Sequence, residues 1–230
     1  MLRSRLRPPE VILLCAATAI QIGCGPRTPA SSTETRPAPA SAPALALAGL
    51  AGQRIIVLPT NTIRIAPELN WTAAIGHARD VQQAFDAEIA AALKERGTAQ
   101  GWIFPEALQQ AYRRNASYAA DPYALAEDLL RSPKLAVGTR LTEPFASQIR
   151  TMVALHEDAR LVLAPVELRF EQAQTASAAF GRAVLRLVLV DARASDVRWI
   201  GEVASDSAAT YGPALLADVA SRVGDLVAKR

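Results

Sequence analysis

Few residues in this chain of 230 residues have the chemistry that metal binding requires. The only histidines are His77 and His156, on distant segments, and the only cysteines are Cys15 and Cys24. A zinc site is built mostly from histidine and cysteine ligands. The run His156-Glu157-Asp158 falls at a predicted helix end, where solvated polar residues are expected. The sequence therefore predicts no metal site.

Patterns typical of catalysis are also scarce. No serine stands in a Gly-x-Ser-x-Gly frame, and no Walker-type or Gly-x-Gly-x-x-Gly loop occurs. The carboxylate pairs Asp86/Glu88 and Glu127/Asp128 could transfer protons. Each pair lies on a predicted helix, where adjacent charges usually mark the solvated face. We therefore expect no catalytic residue, no cofactor and no enzymatic activity.

The first 23 residues have the three-part layout of a secretory signal peptide. Arg3, Arg5 and Arg7 precede an apolar run from Val11 to Ile20, and small residues follow it. The run is about half as long as the roughly 20 residues of a membrane-spanning helix. Residues 1–23 are thus predicted to be a signal peptide.

Cys24 stands at the end of this leader, in the stretch Ile20–Pro26, which reads IQIGCGP. The stretch resembles the lipobox of bacterial lipoproteins, in which a small residue precedes the cysteine that becomes acylated. The resemblance implies lipidation of Cys24 with fatty acyl chains such as palmitate, which would hold the chain on a membrane. Because Gly25, and not aspartate, follows the cysteine, it also implies the outer membrane, facing the periplasm. The alternative is an ordinary signal peptide with an incidental cysteine.

The next segment, residues 25–52, is rich in proline, alanine and serine and poor in large apolar side chains. Such a composition cannot bury enough apolar surface to fold, so residues 24–52 are predicted to be a lipidated cysteine followed by a disordered linker. The linker is either a spacer that clears the lipid surface or a tether that reaches toward peptidoglycan or a partner near it.

The net charge of +3 does not indicate a nucleic-acid partner. Arg3, Arg5, Arg7 and Glu10 all belong to the predicted leader, and the chain without it carries about +1. The remainder has no cluster of basic residues interleaved with aromatic ones. We therefore expect no nucleic-acid binding.

Residues 53–230 have the apolar periodicity of a single α/β domain. The opening strand is Ile55–Leu58, and a helix capped by Asp80 runs to Gly97 with Val81, Phe85, Ile89 and Leu93 on one face. In order, the other predicted elements are a strand at 102–104, helices from Pro105, from Asp121–Pro122 and from Thr142, strands within 159–172, 184–190 and 197–203, and a helix after Gly212–Pro213. In the first long strand, Val166, Leu168 and Phe170 are expected on one face. The order predicts a mixed sheet of about five strands, with a meander at its end and helices packed on it.

Two loops are candidate contacts for a partner. The segment from Thr60 to His77 contains Ile63, Ile65 and Trp71 with few charges, which indicates either a lid over the core or an exposed apolar patch. The loop at 173–180 ends in Phe180 and is the second candidate.

The segments RIIVLP, ALKERG, LVLAPVEL, RAVLRLVLVDA and VRWIGEV, followed by a terminal helix, resemble a known domain over about residues 53–229. It is the α/β domain shared by the amino-terminal part of TolB, the curli-secretion lipoprotein CsgG and the lipoprotein activators of penicillin-binding proteins. The resemblance implies a noncatalytic module that binds envelope proteins in the periplasm.

Three functions follow as hypotheses. The first is a lipid-anchored envelope protein that acts by protein–protein contact in assembly, scaffolding or regulation. The second is an enzyme or small-ligand binder that acts on envelope glycans. The third is a secretion-pore subunit, which would need long amphipathic strands that the sequence pattern does not indicate.

Overall fold

A five-stranded mixed sheet forms the centre of the folded part. The computed structural model describes residues 45–156, 159–173 and 180–228. The predicted signal peptide, Cys24 and the linker up to residue 44 lie outside the described residues, as do most of the loop before Phe180 and the pair Glu157-Asp158.

The strands are connected as a mixed sheet with the predicted meander. Strands β1 (Ile55–Val57) and β2 (Thr62–Ile65) both pair in parallel with β3 (Leu161–Gln172), β1 with its first half and β2 with its second. β3, β4 (Gly181–Asp191) and β5 (Asp196–Ala204) then run antiparallel to one another. The predicted fold class, a mixed sheet with packed helices, is confirmed.

Helices cover the sheet. Two long ones, α3 and α7, pack against each other, and Pro105 begins α4 as predicted because proline suits a first helical turn. None of the described helices is both long and apolar enough to cross a membrane. The helices are α1 (Leu45–Ala48), α2 (Thr72–Ile75), α3 (Ala78–Glu95), α4 (Pro105–Arg114), α5 (Asp128–Arg131), α6 (Phe145–Leu155) and α7 (Pro213–Ala228), with short 3-10 helices at Pro67–Leu69 and Pro122–Ala124.

The sheet separates two hydrophobic cores, since successive side chains of a strand point to opposite faces. Leu163 and Leu185 belong to the core under α3 and α7, whereas Val162 and Val188 belong to the core that α6 covers. Most of β3 and β4 is therefore buried on both faces, as the continuous apolar runs indicated.

Val166 does not share a face of the sheet with Leu168 and Phe170, contrary to the prediction, because a β-bulge precedes them. The pairing of β3 with β4 shifts register between Pro165 and Glu167, so one residue is unpaired there. A bulge reverses the alternation beyond it. Val166 accordingly packs in the α6 core, while Leu168 and Phe170 pack in the α3–α7 core.

The folded domain begins before residue 53. Residues 45–48 form α1, and Leu47 and Leu50 are fully or almost fully buried in the α3–α7 core. The predicted linker therefore extends too far along the chain. The stretch is rich in alanine, and from composition alone its two leucines were not recognised as core residues.

Other boundaries also differ from the prediction. The segment 102–104 is not a strand, since Ile103 makes only an isolated parallel bridge to Ile56. Asp80 lies in the first turn of α3 and does not cap it, because the helix begins at Ala78 after His77. The single helix predicted from Asp121–Pro122 is divided into a 3-10 helix and α5. β2 was not predicted.

Candidate functional site

Trp71, the first candidate contact, is a core residue with only 6% of its surface exposed. Its ring lies 6.1 Å from that of Phe170 and 6.3 Å from that of Tyr211, both centre to centre. Ile63 and Ile65 are partly buried and pack against the same core. The segment from Thr60 to His77 is therefore a lid, and the assignment of Trp71 as a surface contact is corrected.

Phe180, the second candidate, lies on the surface with 36% of its area exposed. Because residues 174–179 lie outside the described residues, its role as a partner contact stays a prediction. His77 precedes α3 and His156 follows α6. Within the described ranges, no three His, Cys, Asp or Glu side chains come together as a metal site would require.

One member of each carboxylate pair is buried, contrary to the prediction that both pairs are solvated. Asp86 is 6% exposed and Glu127 only 1%, whereas Glu88 and Asp128 are exposed. Asp86 lies on the apolar stripe of α3, directly after Phe85 and three residues before Ile89. The spacing of three residues to Ile89 and seven to Leu93 was the signal that could have identified it.

Asp86 joins three parts of the domain through its two carboxylate oxygens. The backbone N–H of Thr60, just beyond β1, donates to Oδ1 over 2.8 Å. The hydroxyl of Tyr123, in the second 3-10 helix, donates to Oδ2 over 3.0 Å. Asp86 therefore fastens the end of β1 and the 122–124 turn to α3.

Burial raises the pKa of Asp86 to about 6. The hydrogen bonds from Thr60 and Tyr123 and the charge of Arg79 limit the rise, because each stabilises the carboxylate. Burial, followed by the neighbouring Asp86 charge, raises the pKa of Tyr123 well above its ordinary value. The pair thus keeps the phenol protonated as the donor.

Glu127 lies deeper than Asp86, immediately before α5. Burial raises its pKa to about 8, and the charges of Asp86 and Asp128 add to the rise. The side chain of Asn61 and the charge of Arg131 oppose it. At neutral pH this carboxyl group carries a proton for most of the time, so the interior holds one neutral acid beside one that ionises.

A groove runs between α3 and α4, with Asp86 at its inner wall. Its volume of about 470 Å³ lies in the range of ligand pockets. Charged, amide and aromatic side chains share its walls: Arg79, Gln83, Asp86, Lys94, Phe104, Glu106, Gln109, Gln110, Arg113 and Tyr123. The sequence gives no sign of this groove, because the groove depends on how the two helices are placed relative to each other in the fold.

The fold and the groove together define an α/β domain with a mixed sheet and a polar groove beside its β1 edge. No protein-family model matches the chain, and no curated protein matches it.

Solved structures resemble the chain at low similarity. The LpoB C-terminal domain from Escherichia coli has 15% identity and a TM-score of 0.38, covering 71% of this chain and 92% of that one. Lipoprotein GNA1162 from Neisseria meningitidis has 17% identity and a TM-score of 0.38, covering 77% and 99%. A PelC dodecamer from Paraburkholderia phytofirmans has 12% identity and a TM-score of 0.35, covering 77% and 89%. At such TM-scores and identities we assign neither a family nor a function from these likenesses.

Proposed function

We propose that this chain is a lipid-anchored protein of the bacterial envelope that acts by protein–protein contact. It would sit on the periplasmic side of the outer membrane as an assembly, scaffolding or regulatory component. The leader, the lipobox-like stretch at Cys24 and the polar segment after it support the anchor. A domain attached in this way would meet partners within reach of the linker from the membrane.

The observation that carries the contact hypothesis is the open groove between α3 and α4. Most of its walls are built from residues on two regular helices, and side chains on regular helices are positioned more precisely than side chains on loops. Asp86, its most buried acid, already has both oxygens bonded within the domain. The groove therefore offers mainly cations, amides and aromatic rings for recognition.

Crosslinking in cells tests this proposal. Wild-type chain and the Cys24→Ser variant, each with a carboxyl-terminal tag, are crosslinked and purified under denaturing conditions. We expect the same envelope proteins to be captured repeatedly with the wild type and to be reduced when the anchor is lost. A wild type that captures no defined protein would contradict the proposal.

A second function, binding or hydrolysis of envelope glycans, is favoured by one observation. Asp86 lines the groove with a pKa of about 6, close to the value expected of a general acid at near-neutral pH. An Asp86→Asn variant that loses glycan hydrolysis while remaining folded would support this alternative over the contact hypothesis. The pore hypothesis has no such observation, since β3 and β4 are mostly buried on both faces.

A further inference from the structure

The groove between α3 and α4 holds three basic side chains whose charges are not neutralised by ion pairs. Arg79 and Lys94 come from α3 and Arg113 from α4. Across the described ranges, none of the three has a carboxylate within ion-pair distance, whereas Arg96 pairs with Asp225 and Arg222, in α7, pairs with both Asp206 and Asp218. Positive charge in this groove is therefore available to a ligand.

Two of these cations are held in place by aromatic rings. The guanidinium of Arg79 lies 3.8 Å from the centre of the Tyr123 ring. The ammonium group of Lys94 lies 5.0 Å from the centre of the Phe104 ring. Cation–π contacts position a charge without neutralising it. The rings thus favour particular positions for Arg79 and Lys94.

The acids in the groove offset this charge only in part, although the charge of Asp86 interacts with that of Arg79. Asp86 is bonded to Thr60 and Tyr123 on the inner side of α3, and Glu106 is an exposed residue in the first turn of α4. The three cations exceed these two acids by one. An acidic ligand whose carboxylates reach the three cations therefore fits the charge of the groove better than a neutral one.

The amide side chains add a second kind of recognition. Gln83 on α3 and Gln109 and Gln110 on α4 also line the groove. A glutamine amide both donates and accepts, as the backbone of an extended peptide does. An acidic polypeptide has both kinds of group: its carboxylates can pair with the cations, and its backbone peptide groups can hydrogen-bond with the glutamine amides.

The length of the groove matches a short extended segment. Arg79 and Lys94 are 15 residues apart on α3, about 22 Å at 1.5 Å per residue. An extended chain rises about 3.3 Å per residue, so six or seven residues span that distance.

We propose that the groove between α3 and α4 binds an extended acidic peptide segment of a partner protein. This inference rests on the proposed function and names the site and the chemistry of the partner.

Peptide binding to the full-length chain, purified in detergent, tests it. The probe is a fluorescently labelled octapeptide of alternating Glu and Ser, and its comparison is the same peptide with Gln for Glu; binding is followed by fluorescence anisotropy. We expect the Glu peptide to bind at least tenfold more tightly than the Gln peptide. The double variant Lys94→Glu/Arg113→Glu should weaken binding of the Glu peptide at least tenfold.

The matched control is Lys134→Glu/Arg140→Glu, the same charge change at two exposed positions outside the groove. It should alter binding by less than twofold, and both variants should keep the wild-type melting temperature. Equal weakening by both variants, or equal binding of the two peptides, would overturn the proposal. So would preferential binding of a labelled N-acetylglucosamine tetramer, which would assign the groove to glycans.

The crosslinking experiment separates this inference from the proposed function. If the Lys94→Glu/Arg113→Glu variant captures the wild-type partners undiminished, contact occurs elsewhere and only the groove assignment fails. If the Glu peptide binds in the groove but no partner is captured in cells, the proposed function fails instead.

Discussion

At the scale of single residues, the unexpected feature is a pair of buried acids. A buried carboxyl group loses hydration, so its charged form is disfavoured and its pKa rises. Asp86 offsets that cost with hydrogen bonds from Thr60 and Tyr123. Glu127 is deeper and has the larger rise in pKa, to about 8 compared with about 6. Such groups make stability depend on pH.

Glu127→Gln tests this dependence. In the folded state the pKa of Glu127 is about 8, above its ordinary value of 4.5, so its protonated form stabilises the fold. That stability is complete below about pH 4.5 and is lost as pH rises toward 8. Because glutamine does not ionise, we expect the variant to be the more stable of the two by about 2–4 kcal/mol at pH 8, and the advantage to disappear near pH 5.

Urea unfolding of both proteins at pH 5, 6, 7 and 8 measures this difference. Glu88→Gln, on the solvated side of α3, is the control for a change in net charge. A Glu127→Gln advantage that does not change with pH would contradict the buried-acid interpretation.

Trp71→Ala distinguishes a core side chain from a binding side chain. Truncation of a buried tryptophan removes packing with Phe170 and Tyr211, and we expect a loss of about 3–5 kcal/mol in the free energy of unfolding. Phe180→Ala, at an exposed position, should cost less than about 1 kcal/mol. Similar losses for both variants, measured by urea unfolding, would show that this account of the lid is wrong.

At the scale of elements, the lid is fixed by its close approach to the first residue of β4. A Cβ atom added at Gly181 would lie 2.5 Å from Cη2 of Trp71 and 2.7 Å from Cδ2 of Leu69. These distances are far below van der Waals contact, so either the lid or the strand would have to shift. Only glycine allows the two elements to pack as they do.

Gly181→Ala is therefore expected to destabilise the domain by about 1–3 kcal/mol. The control is Gly212→Ala, directly before α7, where an added Cβ meets no heavy atom within 4 Å. Because nothing has to shift there, we expect a change within about 1 kcal/mol. Thermal unfolding of both variants measures the difference, and a larger loss at Gly212 would contradict the argument.

α1 provides a second test at this scale, because it lies in the segment predicted as linker. Leu47 is fully buried, so Leu47→Ala should lower the free energy of unfolding by about 2–5 kcal/mol. The control is Val137→Ala, which shortens an apolar side chain at an exposed position and should change the free energy of unfolding by less than about 1 kcal/mol. A Leu47→Ala variant as stable as the wild type would place the boundary of the domain after residue 50.

At the scale of the whole molecule, the proposed function depends on attachment to a membrane. In the proposal the anchor is Cys24, at the end of the predicted leader. Acyl chains contribute about 0.8 kcal/mol per buried methylene, and two or more chains give stable anchoring.

Cys24→Ser should move the protein from the membrane fraction to the soluble fraction of cells. Cys15→Ser, which changes a cysteine of the predicted leader, should leave it in the membrane fraction. Fractionation with detection of the tagged chain measures both. Retention of Cys24→Ser in the membrane fraction would show that another part of the chain holds it there.

The sequence by itself determined the class of fold and most of the elements. The apolar runs in β3 and β4 and the stripes Val81–Leu93 and Leu216–Val227 are local patterns, and local periodicity reports which face of an element is buried. The order of those elements then left few topologies, of which a mixed sheet ending in a meander was one.

Only the tertiary structure decided the features that depend on two distant segments meeting. β2 has four residues and is a strand because the second half of β3 offers it a partner. The hydrogen bonds that stabilise Asp86 in the interior come from Thr60 and Tyr123, which are 26 and 37 residues away along the chain. The groove exists because residues of α3, of α4 and of the 122–124 turn line the same space. Local patterns contain no information about such pairings, since burial and hydrogen bonding between distant segments are set by packing.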